Sequence, residues 1–272
     1  MPLTDLPPLK NTDSEMPKIS IITINYNDKT GLEKTIASVL EQTFSDMEYI
    51  VIDGGSTDGS VDVIRRHEGR IAHWTSEKDS GIFNAQNKGG SLATGEYLLF
   101  LNSGDLLADK DVLAAFAPQL QAHDLVYGDL VVDNGRGRER NDMPDQLSVY
   151  FFMIASLAHP STFISTTLFK KLNGYREELR IVSDFEFFLR AVLVNGASYF
   201  HVPLPVAVFN TNGISSDPKN EERQKWERKQ SWEMNFSTPV VFAFEEYTKL
   251  LRSSDLKVGK LVKKIINPFK AR

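Results

Sequence analysis

The sequence predicts an α/β protein organised around a mostly parallel sheet that is flanked by helices. Short apolar stretches alternate with amphipathic helical stretches from residue 18 onward, which is typical of parallel strands joined by right-handed helical crossovers. The stretch 97–101, Tyr-Leu-Leu-Phe-Leu, is short and apolar throughout, as expected for a central strand covered on both faces. It leads through Asn-Ser-Gly to one carboxylate, Asp105. We expect ligands at this end of the sheet, because in open α/β sheets they bind beyond the carboxyl ends of the strands.

The first strand and helix follow residues 1–17, which are rich in Pro, Asp, Thr and Ser and which we expect to form a disordered leader. Residues 19–24 are mostly β-branched and predict a strand. Thr30 and Glu33 form the T-x-x-E pattern of a capping box ahead of an apolar stripe with helical spacing. The residues at 25–28 are therefore predicted to be the loop of a strand–loop–helix unit.

The same order of elements recurs along the rest of the first half. Apolar spacing and glycine positions predict strands at 49–52, 71–74, 97–101 and 125–132, and helices at 60–68, 82–93 and 111–121. Because the carboxyl ends of parallel strands meet at one edge of a sheet, we expect the loops that follow them to form one cleft. Four residues of these loops are predicted to face it: Tyr26, Asp53, Asp79 and Asp105.

The second half of the chain predicts a less regular alternation. Residues 133–145 are polar and contain glycine, which indicates a mobile loop. Ser183 and Glu186 form a second capping-box pattern, which predicts a helix from residue 183 to about residue 194. The other predicted elements are a short helix at 168–172, strands at 198–202 and 206–209, a polar turn at 210–215, a charged surface helix at 219–236 and a final helix at 255–266.

Length and composition limit the classes of protein to consider. The chain has 272 residues, of which 41% are hydrophobic and 25% charged, as in an ordinary folded protein with a substantial core. No apolar run approaches the roughly 18 to 20 residues that span a bilayer, and the start lacks the pattern of a signal peptide. We therefore expect a cytoplasmic protein. The absence of cysteine excludes disulfides, zinc–thiolate sites and a thiol nucleophile.

The charge is distributed unevenly along the chain. The formal net charge is -5, but residues 249–272 carry eight basic side chains and one acidic side chain, so this tail is +7 and the rest of the chain is -12. An acidic body is a poor candidate for binding nucleic acid. The predicted helix at 255–266 has apolar residues on one face and lysines around the rest, which favours an anionic membrane surface as partner. A soluble helix packed on the body is the alternative.

Asp105 has two interpretations when it is considered alone. A carboxylate at the end of a buried strand is well placed for a metal–phosphate complex. The sequence Asn-Ser-Gly-Asp is also favourable for an ordinary turn. The neighbouring motifs favour the first interpretation.

Taken together, these motifs resemble the family-2 glycosyltransferases with the GT-A fold, especially bacterial enzymes that assemble exopolysaccharide or O-antigen repeat units. The first half contributes I-S-I-I-T-I-N-Y-N, D-G-G-S-T-D-G-S, E-K-D-S-G-I-F-N-A-Q-N-K-G and A-T-G-E-Y-L-L-F-L-N-S-G-D. The second half contributes H-P-S-T-F at 159–163 and S-D-F-E-F-F-L-R at 183–190. Several motifs in the family's order are a far more specific signal than any one of them.

The resemblance covers about residues 19–215 and implies a GT-A domain at 18–215, with a Rossmann-like nucleotide-binding sheet. A donor half at about 18–132 would hold a nucleotide sugar such as a UDP- or GDP-sugar. An acceptor half at about 133–215 would hold the hydroxyl that receives the sugar. Residues 216–272 would form a C-terminal helical extension. The implied reaction is the inverting transfer of one sugar to a lipid-linked saccharide acceptor in surface polysaccharide biosynthesis.

The resemblance also implies roles for individual residues. Asp105 would bind a Mg²⁺ or Mn²⁺ ion that neutralises the diphosphate leaving group. Asp184 would be the base that deprotonates the acceptor hydroxyl, although an acid in the first turn of a helix is also favoured by the helix dipole. His159 would face the acceptor, or else be a satisfied structural histidine. The implied donor-binding residues are Asn25, Tyr26, Asp53, Asp79, Asn87, Lys88, Ser103 and Gly104.

Three positions depart from the family pattern. Many relatives carry two adjacent acids where this chain has Asp53 and Gly54, and an acidic pair flanking the metal position where this chain has Ser103 and Gly104 before Asp105. Gln86 stands where relatives often have arginine, which removes a positive charge from the donor side. The sequence thus assures one metal carboxylate.

Two other functions fit parts of the sequence. A sugar-phosphate nucleotidyltransferase shares the alternating architecture, but we expect its first strand to lead into a glycine-rich phosphate loop rather than Asn-Tyr-Asn-Asp-Lys-Thr. A non-catalytic scaffold that binds nucleotide sugars is the second alternative. The presence of both Asp105 and Asp184 argues against it.

Overall fold

The computed structural model describes residues 18–120, 122–211 and 213–252. The strands are β1 Ile19–Asn25, β2 Met47–Asp53, β3 His73–Ser76, β4 Tyr97–Phe100, β5 Leu106–Leu107, β6 Leu125–Asp133, β7 Arg138–Asn141, β8 Thr162–Ser165 and β9 Tyr199–Asn210. The α-helices are α1 Lys29–Leu40, α2 Ser60–His67, α3 Ile82–Leu92, α4 Val112–Leu120, α5 Val149–Ile154, α6 Thr166–Lys171, α7 Ser183–Leu189, α8 Glu221–Asn235 and α9 Thr238–Arg252. A π-helical turn, Arg190–Val194, continues α7.

The described strands form one sheet in the order β3-β2-β1-β4-β8-β6-β9-β5, with β7 paired to the edge of β6. The pairs among β1 to β4 are parallel, as the sequence predicts for the first half. The strand β8 runs antiparallel to both β4 and β6, and therefore joins this parallel half to the second half. The carboxyl ends of β1, β2 and β4 consequently lie at one edge of the sheet, where the cleft is predicted.

Helices cover both faces of the sheet. Alternate residues of β1 belong to two hydrophobic clusters, because successive side chains of a strand point to opposite faces. Ile19 and Ile21 pack with α1, α2 and α4 on one face. Ile22 and Ile24 pack with α3 and with α5 to α7 on the other. The mixed α/β architecture predicted from the sequence is confirmed.

Neither predicted capping box forms. The side chain that caps α1 is Asp28, which accepts a hydrogen bond from the backbone of Gly31, and Glu33 instead pairs with Arg66 of α2 at 2.8 Å. The aspartate reaches the free backbone N–H groups two positions before the threonine, so the helix begins earlier. At α7 the predicted cap Ser183 makes no capping hydrogen bond.

The segment that leads into α7 is held by another helix. Glu227 of α8 is fully buried and accepts hydrogen bonds from the backbone N–H groups of Arg180, Ile181 and Val182, at 3.0, 2.8 and 3.2 Å. Glu186, the other predicted capping residue, is buried and forms ion pairs with Arg176 and Arg190. A carboxylate distant in sequence thus fixes the segment that precedes α7.

The prediction of a mobile loop at 133–145 is wrong for its central part. Residues Arg138–Asn141 form β7, which pairs antiparallel with β6. Buried Asp129 holds this hairpin, since it accepts hydrogen bonds from Arg140 and from the backbone of Met143. His201 bonds Asp129 and Asp145 through its two ring nitrogens, so the segment after β7 is fastened to β9.

Two strand predictions change in extent. The predicted strand at 71–74 is shifted to His73–Ser76. The predicted strands at 198–202 and 206–209 are one strand, β9, whose parallel pairing with β6 has register shifts at Gly128 and Asp129. Pro203 and Pro205 lie beside these shifts, where a missing backbone donor is tolerated.

The described C-terminal part consists of two helices. The predicted charged helix at 219–236 is confirmed as α8, whereas α9 is not predicted by the sequence pattern. Trp232, Phe236 and Phe244 form an aromatic cluster that joins the two helices. The predicted leader at 1–17 and the predicted basic helix at 255–266 lie outside the described residues. Within the described ranges, no helix is both long and apolar enough to cross a membrane.

Candidate functional site

The loop that follows β2 is built around the carboxylate of Asp53. One carboxylate oxygen accepts hydrogen bonds from Asn25 and from the Ser56 hydroxyl at 2.8 and 2.6 Å. The other accepts from the backbone N–H groups of Gly55 and Ser56 and from the Ser76 hydroxyl. Burial would raise the pKa of Asp53, but these hydrogen bonds outweigh it and lower the pKa below its usual value. The structure therefore shows Asp53 as the organiser of the loop.

Tyr26 and Asp79 supply the accessible surface next to this loop. The Tyr26 side chain is 68% exposed, which is unusual for a large aromatic residue. A Cβ atom at Gly54 would lie 2.6 Å from the Asp79 carboxylate and 3.2 Å from the Tyr26 ring. The absence of a side chain at Gly54 thus lets the ring and the carboxylate approach each other. An aromatic face beside a carboxylate is an arrangement that can stack on and hydrogen-bond a nucleobase.

The loop that follows β4 carries Asp105 and is fastened to α1. The Thr35 hydroxyl accepts a hydrogen bond from the Gly104 backbone and donates one to the Asp105 carbonyl, at 3.0 and 2.8 Å. Gly104 has a φ of +94°, which favours glycine at this turn. The Ser103 backbone N–H bonds the carbonyl of Ile24 at 3.0 Å, so the loop lies directly beside the end of β1.

Asp105 is a buried carboxylate whose negative charge is stabilised by few groups among the described residues. Its side chain is 3% exposed and accepts a hydrogen bond from the backbone N–H of Asn210 at 2.9 Å. Burial raises the pKa of Asp105 to about 7, and the Asn210 hydrogen bond and the electrostatic influence of His159 oppose this only in part. A cation next to Asp105 would stabilise its charged form.

The residues around Asp105 fit a divalent ion that is bound together with a substrate phosphate. Within residues 18–252, apart from 121 and 212, no group of three or more His, Cys, Asp or Glu side chains could hold a metal. Mg²⁺ is commonly held by one or two carboxylates and by phosphate oxygens rather than by a cage of protein ligands. One buried carboxylate whose charge lacks compensation matches this donor set.

Asp184 and His159 contact each other, and His159 also contacts the loop that carries Asp105. The Nδ1 atom of His159 lies 3.0 Å from one oxygen of Asp184, and the backbone N–H of Phe185 bonds the other oxygen at 2.8 Å. The Nε2 atom of His159 lies 3.0 Å from the side-chain nitrogen of Asn102. Asp184 lies in the first turn of α7, and its side chain is 21% exposed and therefore partly accessible to solvent.

The helix α8 completes the surroundings of Asp184. The Arg228 guanidinium lies 3.9 Å above the ring of Phe185 and donates hydrogen bonds to the carbonyls of Phe152 and Ala155. Burial lowers the pKa of Arg228, and the charge of Asp184 opposes this shift. Together with Glu227, this side chain attaches the C-terminal helices to the segment that presents Asp184.

Two of the predicted donor-binding residues lie apart from these loops. Asn87 bonds the backbone N–H and carbonyl of Tyr175 at 2.9 and 2.8 Å, and therefore fastens the turn before α7. Lys88 pairs with Glu77 at 2.7 Å. Both line a groove of about 440 Å³ that also includes Glu177. Their predicted contact with the donor remains a prediction.

Sequence reasoning assigned no role to three residues that shape the site. Asn102 links the loop of Asp105 to His159, Asn210 supplies a backbone donor to Asp105, and Glu227 organises the start of α7. Asn102 and Asn210 follow predicted strands at the edge of the sheet where the cleft is predicted, so their positions indicate a role in the site. Glu227 lies in a helix with many charged residues, and its local sequence does not distinguish it from its neighbours.

Comparison with known proteins identifies the family. The family model described as "Glycosyl transferase family 2" matches residues 20–175, which contain the loops of Asp53 and Asp105 as well as His159. An uncharacterized glycosyltransferase of Mycobacterium tuberculosis (strain H37Rv) is 35% identical over 207 residues, which cover 74% of this chain and 78% of that protein. The PGL/p-HBAD biosynthesis glycosyltransferase of Mycobacterium bovis (strain BCG / Pasteur) is 31% identical, with coverages of 72% and 78%.

Solved structures support the fold. S. aureus TarS 1-349 in complex with UDP-GlcNAc matches with a TM-score of 0.62 and 21% identity, over 79% of this chain and 66% of that chain. The mannosyltransferase PcManGT of Pyrobaculum calidifontis, in complex with GDP-Man and Mn²⁺, matches with a TM-score of 0.63 and 17% identity, over 88% and 71%. At these identities the likeness shows the GT-A fold alone. The chain belongs to glycosyl transferase family 2.

Proposed function

We propose that this protein is an inverting glycosyltransferase that moves one sugar from a nucleotide-sugar donor to a saccharide acceptor in surface polysaccharide or glycolipid biosynthesis. The observation that carries the proposal is the juxtaposition of two carboxylates with different surroundings. Asp105 is buried in a loop suited to a metal and a diphosphate, and Asp184 is partly accessible beside it, joined through Asn102 and His159.

Asp184 is the proposed base. Its carboxylate would remove the proton from an acceptor hydroxyl while the oxygen attacks C1 of the donor sugar. The bond from C1 to the diphosphate breaks on the opposite face, so the configuration at C1 inverts. The hydrogen bonds from His159 and Phe185 orient the carboxylate, and its 21% exposure admits the acceptor.

The donor would lie along the edge formed by β1, β2 and β4. Tyr26 and Asp79 would hold the nucleobase, and Asn25 and Asp53 would keep the loop beneath it in shape. The backbone of Ser103 and Gly104 would face the diphosphate. TarS and PcManGT, which share the fold, bind UDP-GlcNAc and GDP-Man in their solved complexes, which supports a UDP- or GDP-sugar as the donor class.

A divalent ion, Mg²⁺ or Mn²⁺, would be held by Asp105 together with the donor diphosphate. When bound, it would neutralise the charge that develops on the leaving group. The raised pKa of Asp105 and the Mn²⁺ in the PcManGT complex support this proposal.

A lipid-linked acceptor at the cytoplasmic face of the membrane would fit the basic tail at residues 249–272. A tail of charge +7 would bind an anionic surface with about 1 kcal/mol per basic residue near it, weakened by salt. A chain that ends at Arg252 retains α9 and removes most of this charge. We expect only the full chain to co-sediment with vesicles that contain anionic lipid; equal binding by both would remove the tail from the proposal.

The proposed function is tested by donor binding and by transfer. The full chain is first heated with UDP, GDP and dTDP sugars, with and without Mg²⁺ or Mn²⁺, because a ligand that binds only the folded state raises the melting temperature. We expect a metal-dependent rise for one nucleotide. That donor is then used to measure sugar transfer to saccharide acceptors.

Asp184→Asn is the decisive variant for the chemistry. It removes the base and keeps the shape of the side chain, so transfer should fall by roughly 10²- to 10⁴-fold while the donor-induced thermal shift is preserved. Glu178→Gln, an exposed acid in the turn before α7, is the matched control and should retain activity. Unchanged transfer by Asp184→Asn would contradict the assignment of the base.

A further inference from the structure

The polar side chains between the loop of Asp105 and the base form a continuous line of hydrogen bonds. The side-chain nitrogen of Gln86 donates to the oxygen of Asn102 at 3.0 Å. The nitrogen of Asn102 lies 3.0 Å from Nε2 of His159, and Nδ1 of His159 lies 3.0 Å from Asp184. The four residues come from α3, from the loop after β4, from the turn before β8 and from α7.

This line has a direction. An amide oxygen can only accept, so when Gln86 donates to the oxygen of Asn102, the Asn102 nitrogen is the group that faces His159. An amide nitrogen can only donate here, and Nε2 of His159 must therefore accept and carry no proton. The neutral imidazole then has its proton on Nδ1, where it points at the Asp184 carboxylate. The arrangement selects one tautomer of His159.

The opposite direction has a different chemical requirement. If both amides were reversed, the Asn102 oxygen would face His159, and Nε2 would need a proton. A neutral ring would then present a bare Nδ1 to Asp184, which could be satisfied only by a protonated carboxyl group. For a neutral ring, the orientation of the Asn102 amide and the protonation of Asp184 are therefore linked, whereas a doubly protonated ring would donate to both partners in this orientation.

Other charged or titratable groups also face Asp184. Tyr175 is fully buried, and burial together with the charge of Asp184 raises its pKa well above the usual value. Arg228 of α8 interacts electrostatically with Asp184 but donates its described hydrogen bonds to the carbonyls of Phe152 and Ala155. Among the described side chains, His159 supplies the hydrogen bond to the carboxylate of Asp184.

We propose that His159 is a positioning residue for the base Asp184, held by Asn102 as the neutral tautomer with its proton on Nδ1. The inference rests on the proposed function, because it takes Asp184 as the base. It replaces a direct contact of His159 with the acceptor, since both ring nitrogens already have partners and the side chain is 13% exposed.

The proposal implies a connection between the two halves of the active site. Asn102 begins the turn that carries Asp105, whose backbone N–H bonds the Asn102 carbonyl at 3.0 Å. A change in this turn when donor binds would move the amide that orients His159. The orientation of the base would therefore depend on the occupancy of the donor site.

The tautomer is tested first by nitrogen NMR of the full chain labelled with ¹⁵N, because a protonated and a bare ring nitrogen resonate far apart. The chain has five histidines, and the signal that disappears in His159→Gln identifies His159. We expect a neutral ring with its proton on Nδ1 near pH 7. A proton on Nε2 would overturn the proposal, and this measurement does not depend on any transfer activity.

Two matched variants test the positioning role. The amide of His159→Asn can take the place of Nδ1 and donate to Asp184, whereas the amide of His159→Gln reaches toward Nε2 and keeps only the contact with Asn102. We expect kcat to fall by roughly 10- to 100-fold in His159→Gln and by less in His159→Asn, with the donor KM nearly unchanged in both. The acid limb of the rate–pH profile should move to higher pH only in His159→Gln.

The outcomes separate this inference from the proposed function. Equal losses in both variants with an unmoved acid limb would overturn the positioning role while the proposed function stands. A donor KM that rises in both variants would instead indicate that His159 contacts substrate. If wild-type enzyme binds donor but Asp184→Asn transfers normally, the proposed base falls, and the tautomer measurement still reports on His159.

Discussion

Two buried carboxylates at opposite edges of the same sheet differ sharply. Glu48, near the amino end of β2, is 6% exposed, and Asp105, beyond the carboxyl end of β4, is 3% exposed. Burial acts to raise both pKa values. At Glu48, hydrogen bonds from Ser20, Thr94 and Gly95 outweigh burial and lower the pKa to about 2. At Asp105 burial prevails, and the pKa rises to about 7.

The different surroundings of Glu48 and Asp105 show how a carboxylate that stabilises the fold differs from one that could bind a cation. At the amino edge, the donors that surround Glu48 are all supplied by the protein, so the charge contributes to the folded state. At the carboxyl edge, the protein buries a charge without compensating it fully, which destabilises the ionised form and makes a bound cation favourable. Glu48 therefore stabilises the fold, whereas the ionised form of Asp105 would be stabilised by a cation.

The strongest test of this contrast is Asp105→Asn. Removing the charged ligand should reduce metal-dependent transfer by roughly 10²- to 10⁴-fold, because the diphosphate would leave without its neutralising ion. The melting temperature at pH 8 should stay the same or rise, since an unfavourable buried charge is removed. Transfer assays and thermal melts measure the two effects. A large loss of stability together with retained transfer would reverse the contrast.

The next largest effect is expected for Glu48→Gln. The difference between a pKa of 4.5 and one of about 2 corresponds to about 3 kcal/mol of stability at neutral pH, which the variant should lose. Denaturant unfolding of both chains measures this difference. The kcat/KM of the folded variant should be unchanged, because Glu48 lies at the edge away from the site; a selective loss of kcat/KM would argue against a purely structural role.

The pH dependence of stability should follow from the same two groups with opposite signs. Glu48 has a depressed pKa in the folded state, so its stabilisation is complete above pH 4.5 and is lost as the pH falls toward 2. Asp105 has a raised pKa, so the folded state becomes less favourable as the pH rises from about 4 to 7. Unfolding free energies from pH 3 to 8 for wild type, Glu48→Gln and Asp105→Asn should show each slope vanish in its own variant.

A smaller effect is expected for Thr35→Val, which keeps the shape of the side chain and removes its hydroxyl. The Gly104 N–H and the Asp105 carbonyl would each lose a partner, so stability should fall by about 1 to 2 kcal/mol. Donor affinity in the presence of metal should weaken several-fold, since the loop is less ordered. Thr43→Val, whose hydroxyl bonds Asp111 away from the site, is the control and should keep donor affinity.

The sequence predicts the parallel half of the sheet and its functional edge well, because local patterns determine them. The strands β1, β2 and β4 are short, rich in β-branched and apolar residues and almost entirely buried, and the polar residues that follow them must meet at one edge. The loop residues Tyr26, Asp53 and Asp105 are found there for this reason. The family resemblance added the acceptor-side motifs that contain His159 and Asp184.

The remaining features depend on contacts between distant parts of the chain. Several contacts join residues more than 20 positions apart: those of Asn25 and Ser76 with Asp53, that of Asn102 with His159, and those of Glu227 with the segment before α7. The capping-box pattern of Ser183 and Glu186 is complete in the sequence, but Glu186 is instead engaged by Arg176, by Arg190 and by Asn235 of α8. Local patterns contain no information about such competition.

The hydrogen bonds between Glu227 of α8 and the segment before α7 have a consequence for the design of chimeric enzymes. The family model ends at residue 175, whereas the segment that presents Asp184 is shaped by Glu227, some 50 residues further on. An exchange of segments between relatives with a boundary between α7 and α8 would separate the proposed base from the helix that supports it. A functional chimera should therefore take α7 and α8 from the same parent protein, so that both helices are exchanged together.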